Sequence, residues 1–134
     1  MKTIVFSLDT QKRRPDKEEY NTMREHMLTG KIVVDYARGT YKGDEENSFI
    51  CLVDTPLQEE MIMAIAHAYK QEAVLEVELP SKKAYLRFIN GSPRKSVGTW
   101  REAPVDVKGD FTVNMANAKV YTCVPEKVDL ESDM

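Results

Sequence analysis

The sequence predicts an α+β domain with a ferredoxin-like βαββαβ two-layer sandwich, and three observations carry that expectation. Strand-like apolar runs alternate with two segments of helical spacing in the order β-α-β-β-α-β. The second helical segment opens on Thr55-Pro56, with Gln58 placed to close a capping box. Glu46-Asn47-Ser48-Phe49-Ile50-Cys51-Leu52-Val53 precedes that helix and Ala73-Val74-Leu75 follows it, so the region reads as strand, helix, strand.

The elements follow in chain order. Residues 3–8 are β-branched and apolar and form a first strand. Residues 9–15 are polar and carry Lys12, Arg13 and Arg14, as a loop does. A helix is expected over 16–29, because Asp16, Glu18 and Glu19 suit its positive end while Tyr20, Met23 and Met27 share one face. Gly30 is read as its left-handed stop. Residues 31–37 form a second strand with Ile32, Val34 and Tyr36 on one face, and residues 39–44 a loop. Residues 48–53 form a third strand, apolar on both faces.

The second helix is expected to run to about Lys70, with Leu57, Met61, Ala64, Ile65 and Ala68 buried. Glu59, Met63, Ala66 and Lys70 then lie opposite, toward water or a partner. Residues 72–79 form a fourth strand and 83–89 a fifth. Asn90-Gly91-Ser92-Pro93 breaks the pattern. Residues 111–113 and 119–124 read as short later strands, and 126–134 as an acidic flexible tail on a single domain of residues 1–125.

Right-handed crossovers put both helices on one face of an antiparallel sheet of order 4-1-3-2, with the fifth strand added beside the fourth. The first and third strands are apolar on both faces, so the face away from the helices needs a cover. The C-terminal segment around residues 111–124 is expected to cover this second sheet face, a second copy of the chain being the other occupant.

Composition narrows the function. The 19 basic and 22 acidic residues give a net charge of −3, which argues against nucleic acid as a partner. No apolar run is long enough to cross a bilayer, and the N-terminal one is too short for a secretory signal, so a cytoplasmic protein without a membrane partner is expected. Cys51 and Cys123 sit in apolar runs and read as buried reduced thiols. With His26 and His67 they are too scattered to form a metal set, so neither a metal nor another cofactor is expected.

Four groups of residues bear on chemistry. Glu46 and Ser48 put a carboxylate and a hydroxyl at a strand start, but no Gly-x-Ser-x-Gly elbow supports a nucleophile, and local backbone bonding is the simpler reading. Gln71 and Glu72, directly after the second helix, either cap it or meet a ligand. Lys12, Arg13, Arg14, Arg94, Lys95 and Arg101 sit in two loops and read as solvated. Trp100, flanked by Arg101 in a polar stretch, either anchors an interface or plugs the sheet's open face.

Several of these residues carry a family resemblance. Ile4-Val5-Phe6, Asn21, Gly39, Gly43, Glu46-Asn47-Ser48-Phe49 and Tyr69-Lys70-Gln71-Glu72-Ala73-Val74 resemble a family of small bacterial and phage domains of unknown function. Its pattern includes a Glu-x-Ser-aromatic strand, a helix and an aromatic-x-Gln-x-Ala-aliphatic strand. The resemblance spans residues 3–86 and departs at Asp9-Thr10, where the family has Asn-Pro. It implies the fold and a polar cluster of Glu46, Ser48 and Gln71, and no activity.

The resulting expectation is a non-enzymatic cytoplasmic protein-binding module, of the phage or mobile-element accessory kind, acting on a host protein. Met63, Ala66, Trp100 and Arg101 would form its partner surface, and a homodimer is compatible with it. The alternative is a small-ligand or nucleotide-binding domain, enzymatic or not, built on Glu46, Ser48, Gln71 and Glu72.

Overall fold

A computed structural model describes residues 1–103 and 109–125. Its elements are β1 (Lys2–Ser7), α1 (Lys17–Thr29), β2 (Val33–Tyr41), β3 (Asp44–Val53), α2 (Pro56–Ala68), β4 (Ala73–Glu78), β5 (Lys83–Phe88), β6 (Lys95–Glu102), β7 (Thr112–Asn114) and β8 (Val120–Val124). The strands pair antiparallel in the order β1-β3-β2-β7-β8-β6-β5-β4 and close on themselves as a barrel.

This overturns the two-layer ferredoxin-like sandwich. One arc of the barrel does run β4-β1-β3-β2, with both helices packed on its outer face. The C-terminal region, however, does not lie across the sheet as a cover. It continues the sheet as β6, β8 and β7 until β7 meets β2. Closure pairs both sheet edges at once, which a sandwich leaves open. The second apolar face of β1 and β3 becomes the wall of a lumen.

Two glycines permit the closure. A side chain on Gly39 would strike the Phe111 carbonyl where β7 joins β2. Gly98, at φ 104°, lets the Val124 carbonyl approach its backbone where β6 meets β8.

Local chemistry explains the helices. Asp16 Oδ1 accepts the Glu19 N–H at 2.9 Å and caps α1. The left-handed residue after α1 is Lys31 at φ 63°, not Gly30, whose φ is −86°. At α2, Thr55 and Gln58 complete the capping box, and Gln58 Nε2 also donates to the Gly30 carbonyl at 3.0 Å, tying the two helices together.

The buried face of α2 matches the expected one at Ile65 and at the partly buried Met61, and departs from it elsewhere. Ile62, Ile65 and Ala66 face the core, whereas Leu57 is 76% exposed and Ala64 and Ala68 are open to solvent. The segment 61–66 is apolar at every position, so its spacing could not orient the helix. Ala66 and the partly buried Met63 are therefore core-facing residues, not a partner surface.

Two apolar layers result. Outside the barrel, Ile4, Phe6, Val34, Phe49 and Cys51 meet Tyr20, Met27, Ile62 and Ile65 from the helices. Phe49 is central, with ring centroids of Tyr20 at 5.1 Å and Phe6 at 5.5 Å. Inside, Val5, Val77, Ala84 and Trp100 pack with Ile50, Leu75 and Val97. Trp100 thus lies on a strand and points into the lumen, stacked on Tyr121 at 5.0 Å, and is not in a polar loop. Arg101 is exposed on the same strand.

A buried carboxylate on the outer surface ties three strands to the loop before β6. Glu76 on β4 accepts from Lys2 Nζ at 2.9 Å, Arg94 Nη1 at 2.8 Å and Arg87 Nη1 at 3.2 Å. Glu59 of α2 joins through Lys2 and Arg87. Arg94, read from sequence as a solvated loop residue, is committed to this network. Burial works against the Glu76 charge, but the bonds from Lys2 and Arg94 prevail and hold its carboxyl below the usual range.

No helix among the described residues is long and apolar enough to cross a membrane. The expected acidic tail, residues 126–134, lies outside the described residues.

Candidate functional site

The barrel encloses a cavity of about 800 Å³, open at the end where β1 finishes, β2 turns into β3, and α2 passes into β4. Its lumen wall is apolar, from Val5, Leu75, Leu86, Val97 and Trp100. Its mouth is charged, with Asp9, Arg14, Lys42, Asp44, Glu46, Glu72 and Asp110. The four residues singled out for a ligand, Glu46, Ser48, Gln71 and Glu72, all line it.

The strand register explains Glu46 and Ser48. They lie within β3 and not at a strand start; β2 and β3 extend further than expected, and pairs run from Val33–Leu52 to Tyr41–Asp44. Period-two alternation sends Phe49 and Cys51 outward to the helices and Glu46, Ser48 and Ile50 inward.

Beneath the mouth lies a residue that the sequence reading treated only as the start of a loop. Asp9 is 2% exposed. Its Oδ2 accepts the Asn47 N–H at 2.9 Å and its Oδ1 lies 2.8 Å from the Tyr20 hydroxyl, with Arg14 Nη1 at 3.5 Å. The Tyr20 hydroxyl receives the Leu8 N–H at 3.0 Å and has one proton to share between Asp9 and the Asn47 carbonyl, 2.9 Å away. Burial pushes the Tyr20 phenol upward, so it stays a donor. Gln71 Nε2 donates to the Asp9 carbonyl at 2.9 Å and fixes the α2–β4 junction to the first loop. Gln71 therefore has a structural bond as well as a place on the cavity wall.

The other mouth acids have partners. Glu72 accepts from Lys42 Nζ and Tyr41 Oη, each at 3.0 Å, and Asp110 accepts the backbone N–H groups of Lys42 and Gly43 at 3.0 and 3.2 Å. Glu46 has no hydrogen-bond or ion-pair partner among the described residues. Burial, and then the neighbouring Asp9 charge, push its carboxyl up to about 7. A half-buried carboxyl with that proton affinity and no protein partner is available to a ligand.

Cys51 is buried in the outer core, and Cys123 lines the cavity with its thiol pushed up to about 11 by burial; neither is bonded to the other. His26 and His67 are exposed, and no cluster of His, Cys, Asp and Glu able to hold a metal occurs among the described residues.

Asp9 could have been found as the first charge after an apolar strand, and it is the position where the resemblance pattern breaks. Asp110 had no such signal, because its place depends on barrel closure; Trp100 had one, the reading that it fills the sheet's open face, which is the face it occupies.

Fold and site together define a small closed β-barrel with a ligand-sized, acid-mouthed cavity. The chain belongs to the S-adenosylmethionine lyase family, whose model matches residues 9–124. No curated protein matches it. Membership of an enzymatic family overturns the expectation of a non-enzymatic, phage-accessory module acting on a protein partner. The match spans most of the elements that build the cavity, from Asp9 to β8.

Proposed function

We propose that this protein is a lyase that cleaves a carbon–sulfur bond of S-adenosylmethionine, with the reacting end of the substrate at the cavity mouth. The observation that carries the reading is Glu46, an unpartnered carboxyl at the rim of a lumen of ligand size, in a chain of this family. The volume falls within the roughly 300–1,000 Å³ typical of small-molecule sites.

The substrate carries a sulfonium and an ammonium, and the mouth sets the acids Asp9, Asp44, Glu46, Glu72 and Asp110 against Arg14, Lys42 and Lys70, an excess of negative charge that matches them. Glu46 is the acid best placed to take the ammonium, since no protein group competes for it. Binding a cation there favours the ionised carboxyl and draws its pKa down from about 7.

The bond can then break without water. An oxygen of the substrate's own carboxylate bonds to its γ-carbon as the carbon–sulfur bond breaks. The released electron pair returns sulfur to a neutral thioether, giving methylthioadenosine and a five-membered lactone. Opposite charges cancel along this path, so a site that keeps water from the reacting atoms favours it over bulk water. The chain's task is then to hold the substrate folded toward attack and to keep water away.

The test is to incubate the purified protein with S-adenosylmethionine and follow both compounds by chromatography. The reading expects methylthioadenosine to accumulate as substrate disappears. S-adenosylhomocysteine, whose sulfur is uncharged and a poor leaving group, should remain intact. Glu46→Gln should lower kcat/KM by about ten-fold or more, as loss of a charge-assisted contact does. Undiminished S-adenosylmethionine after long incubation refutes the reading.

A further inference from the structure

Inside the apolar lumen two polar groups have no partner among the described residues. Ser48 is 7% exposed and Trp100 8% exposed, and both line the cavity. Neither the Ser48 hydroxyl nor the Trp100 indole N–H bonds to a described protein atom. Among the described residues, the one side-chain nitrogen or oxygen that is both unpartnered and fully walled off is Arg24 Nε. The Ser48 hydroxyl and the Trp100 indole N–H are thus not fully walled off, and the residues that carry them line the cavity. Ser7, across from Ser48 in the β1–β3 ladder, is different: its hydroxyl donates to the Asn47 carbonyl at 2.5 Å and accepts the Asp9 N–H at 2.8 Å.

The register orders these groups by depth. Glu46, Ser48 and Ile50 descend the inner face of β3, with about 6.6 Å between successive members. Ile50 pairs with Val5, and Trp100 packs on Val5, Val77 and Ala84. The series from mouth to floor is a carboxyl, a hydroxyl and then an indole N–H in an apolar setting.

An indole N–H donates and never accepts, so its partner is an acceptor, and in this apolar setting a neutral one avoids burying an unpaired charge. An ammonium offers no such group, and a sulfonium buried there would lack any counter-charge. A purine ring does offer it, being flat, apolar on its faces and rimmed by acceptor nitrogens. A ribose, with hydroxyls that both give and accept, suits Ser48.

We infer that the substrate enters base-first, its purine ring at the lumen floor accepting from the Trp100 indole N–H and its ribose beside the Ser48 hydroxyl. Trp100 and Ser48 then select a nucleoside sulfonium over a simple one. This rests on the proposed lyase reading for the identity of the substrate, while the geometry concerns any purine nucleoside of that length.

Trp100→Phe keeps an aromatic ring over Tyr121 and deletes the N–H; Ser48→Ala deletes the hydroxyl. The probe is methylthioadenosine, titrated calorimetrically into the full chain, because it carries base and ribose without the charged end. Each variant should bind it about five- to ten-fold more weakly than the wild type, the usual effect of one lost hydrogen bond in a desolvated site. S-methylmethionine, a sulfonium without a base, should bind both variants as it binds the wild type.

Wild-type methylthioadenosine affinity in both variants overturns the inference. So does a parallel loss for S-methylmethionine, or failure of the wild type to bind methylthioadenosine. If Trp100→Phe melts far below the wild type, Ser48→Ala decides alone. A wild type that binds methylthioadenosine but leaves S-adenosylmethionine uncut defeats the lyase reading and leaves the lumen site standing. Cleavage with unchanged affinities in both variants defeats the lumen site alone.

Discussion

Asp9 Oδ2 accepts the backbone N–H of Asn47 at 2.9 Å, which holds a buried charge directly beneath the strand that carries Glu46. The groups facing Glu46 are Asp9, Arg14, Asp44 and Asp110; burial raises its proton affinity most, and Asp9 is the largest charge effect. Asp9→Asn should therefore bring the Glu46 pKa down from about 7 toward, but not to, its ordinary value. Carboxyl carbon shifts followed by NMR across pH measure this, and an unmoved titration would show that the two groups are not coupled.

Glu46 also makes stability depend on pH. Its folded-state pKa lies above the unfolded value, so between about 4.5 and 7 the folded state binds more protons and stability falls as pH rises. Glu46→Gln removes that cost. Its melting temperature should exceed the wild type's by a few degrees at pH 8 and match it near pH 4. A variant less stable at pH 8 would mean that the charged carboxyl has a stabilising partner.

Glu76 has the opposite sign. Its lowered pKa contributes stability that is present above the ordinary carboxylate range and is lost as pH falls through the folded value. Glu76→Gln leaves Lys2, Arg87 and Arg94 without their shared anion. Because those cations are 31–41% exposed, the expected cost is about 2–3 kcal/mol, below that of a fully buried pair. Urea unfolding at pH 7 measures it, and a cost near zero would mark the network as surface decoration.

Gly98 tests closure. An alanine there meets both a strained φ of 104° and the Val124 carbonyl, so Gly98→Ala should cost about 3 kcal/mol or more and loosen β6 from β8. Hydrogen exchange should show faster amide exchange along that ladder than along β1–β3. Unchanged protection would contradict a barrel sealed at this seam.

What the chain discloses by itself follows from which forces are local. The capping box at Thr55, the acidic start of α1 and the apolar runs of β1 and β3 depend on residues a few positions apart, and these were readable. Doubly apolar strands also showed that the second face must be covered. They could not show that the cover is the same sheet closing on itself, because β7 and β8 are short and their pairing with β2 and β6 is settled by long-range register. Trp100 was assigned to a polar loop for that reason, although the reading that it fills the sheet's open face matches its place. Met63 and Ala66 were misplaced because α2 is apolar on nearly every side of its middle turns. Glu46, Ser48, Gln71 and Glu72 were visible as polar residues at strand and helix joints, and closure is what gathers them round one cavity. Asp9, at the base of the site, looked like the first residue of a loop.

The most direct measurement of the central claim is mass spectrometry of the reaction with S-adenosylmethionine in ¹⁸O-labelled water, quenched at early times. The account predicts methylthioadenosine together with a lactone that carries no solvent oxygen, and much slower formation of both by Glu46→Gln. Absence of methylthioadenosine, or homoserine bearing ¹⁸O from the first time point, would contradict it.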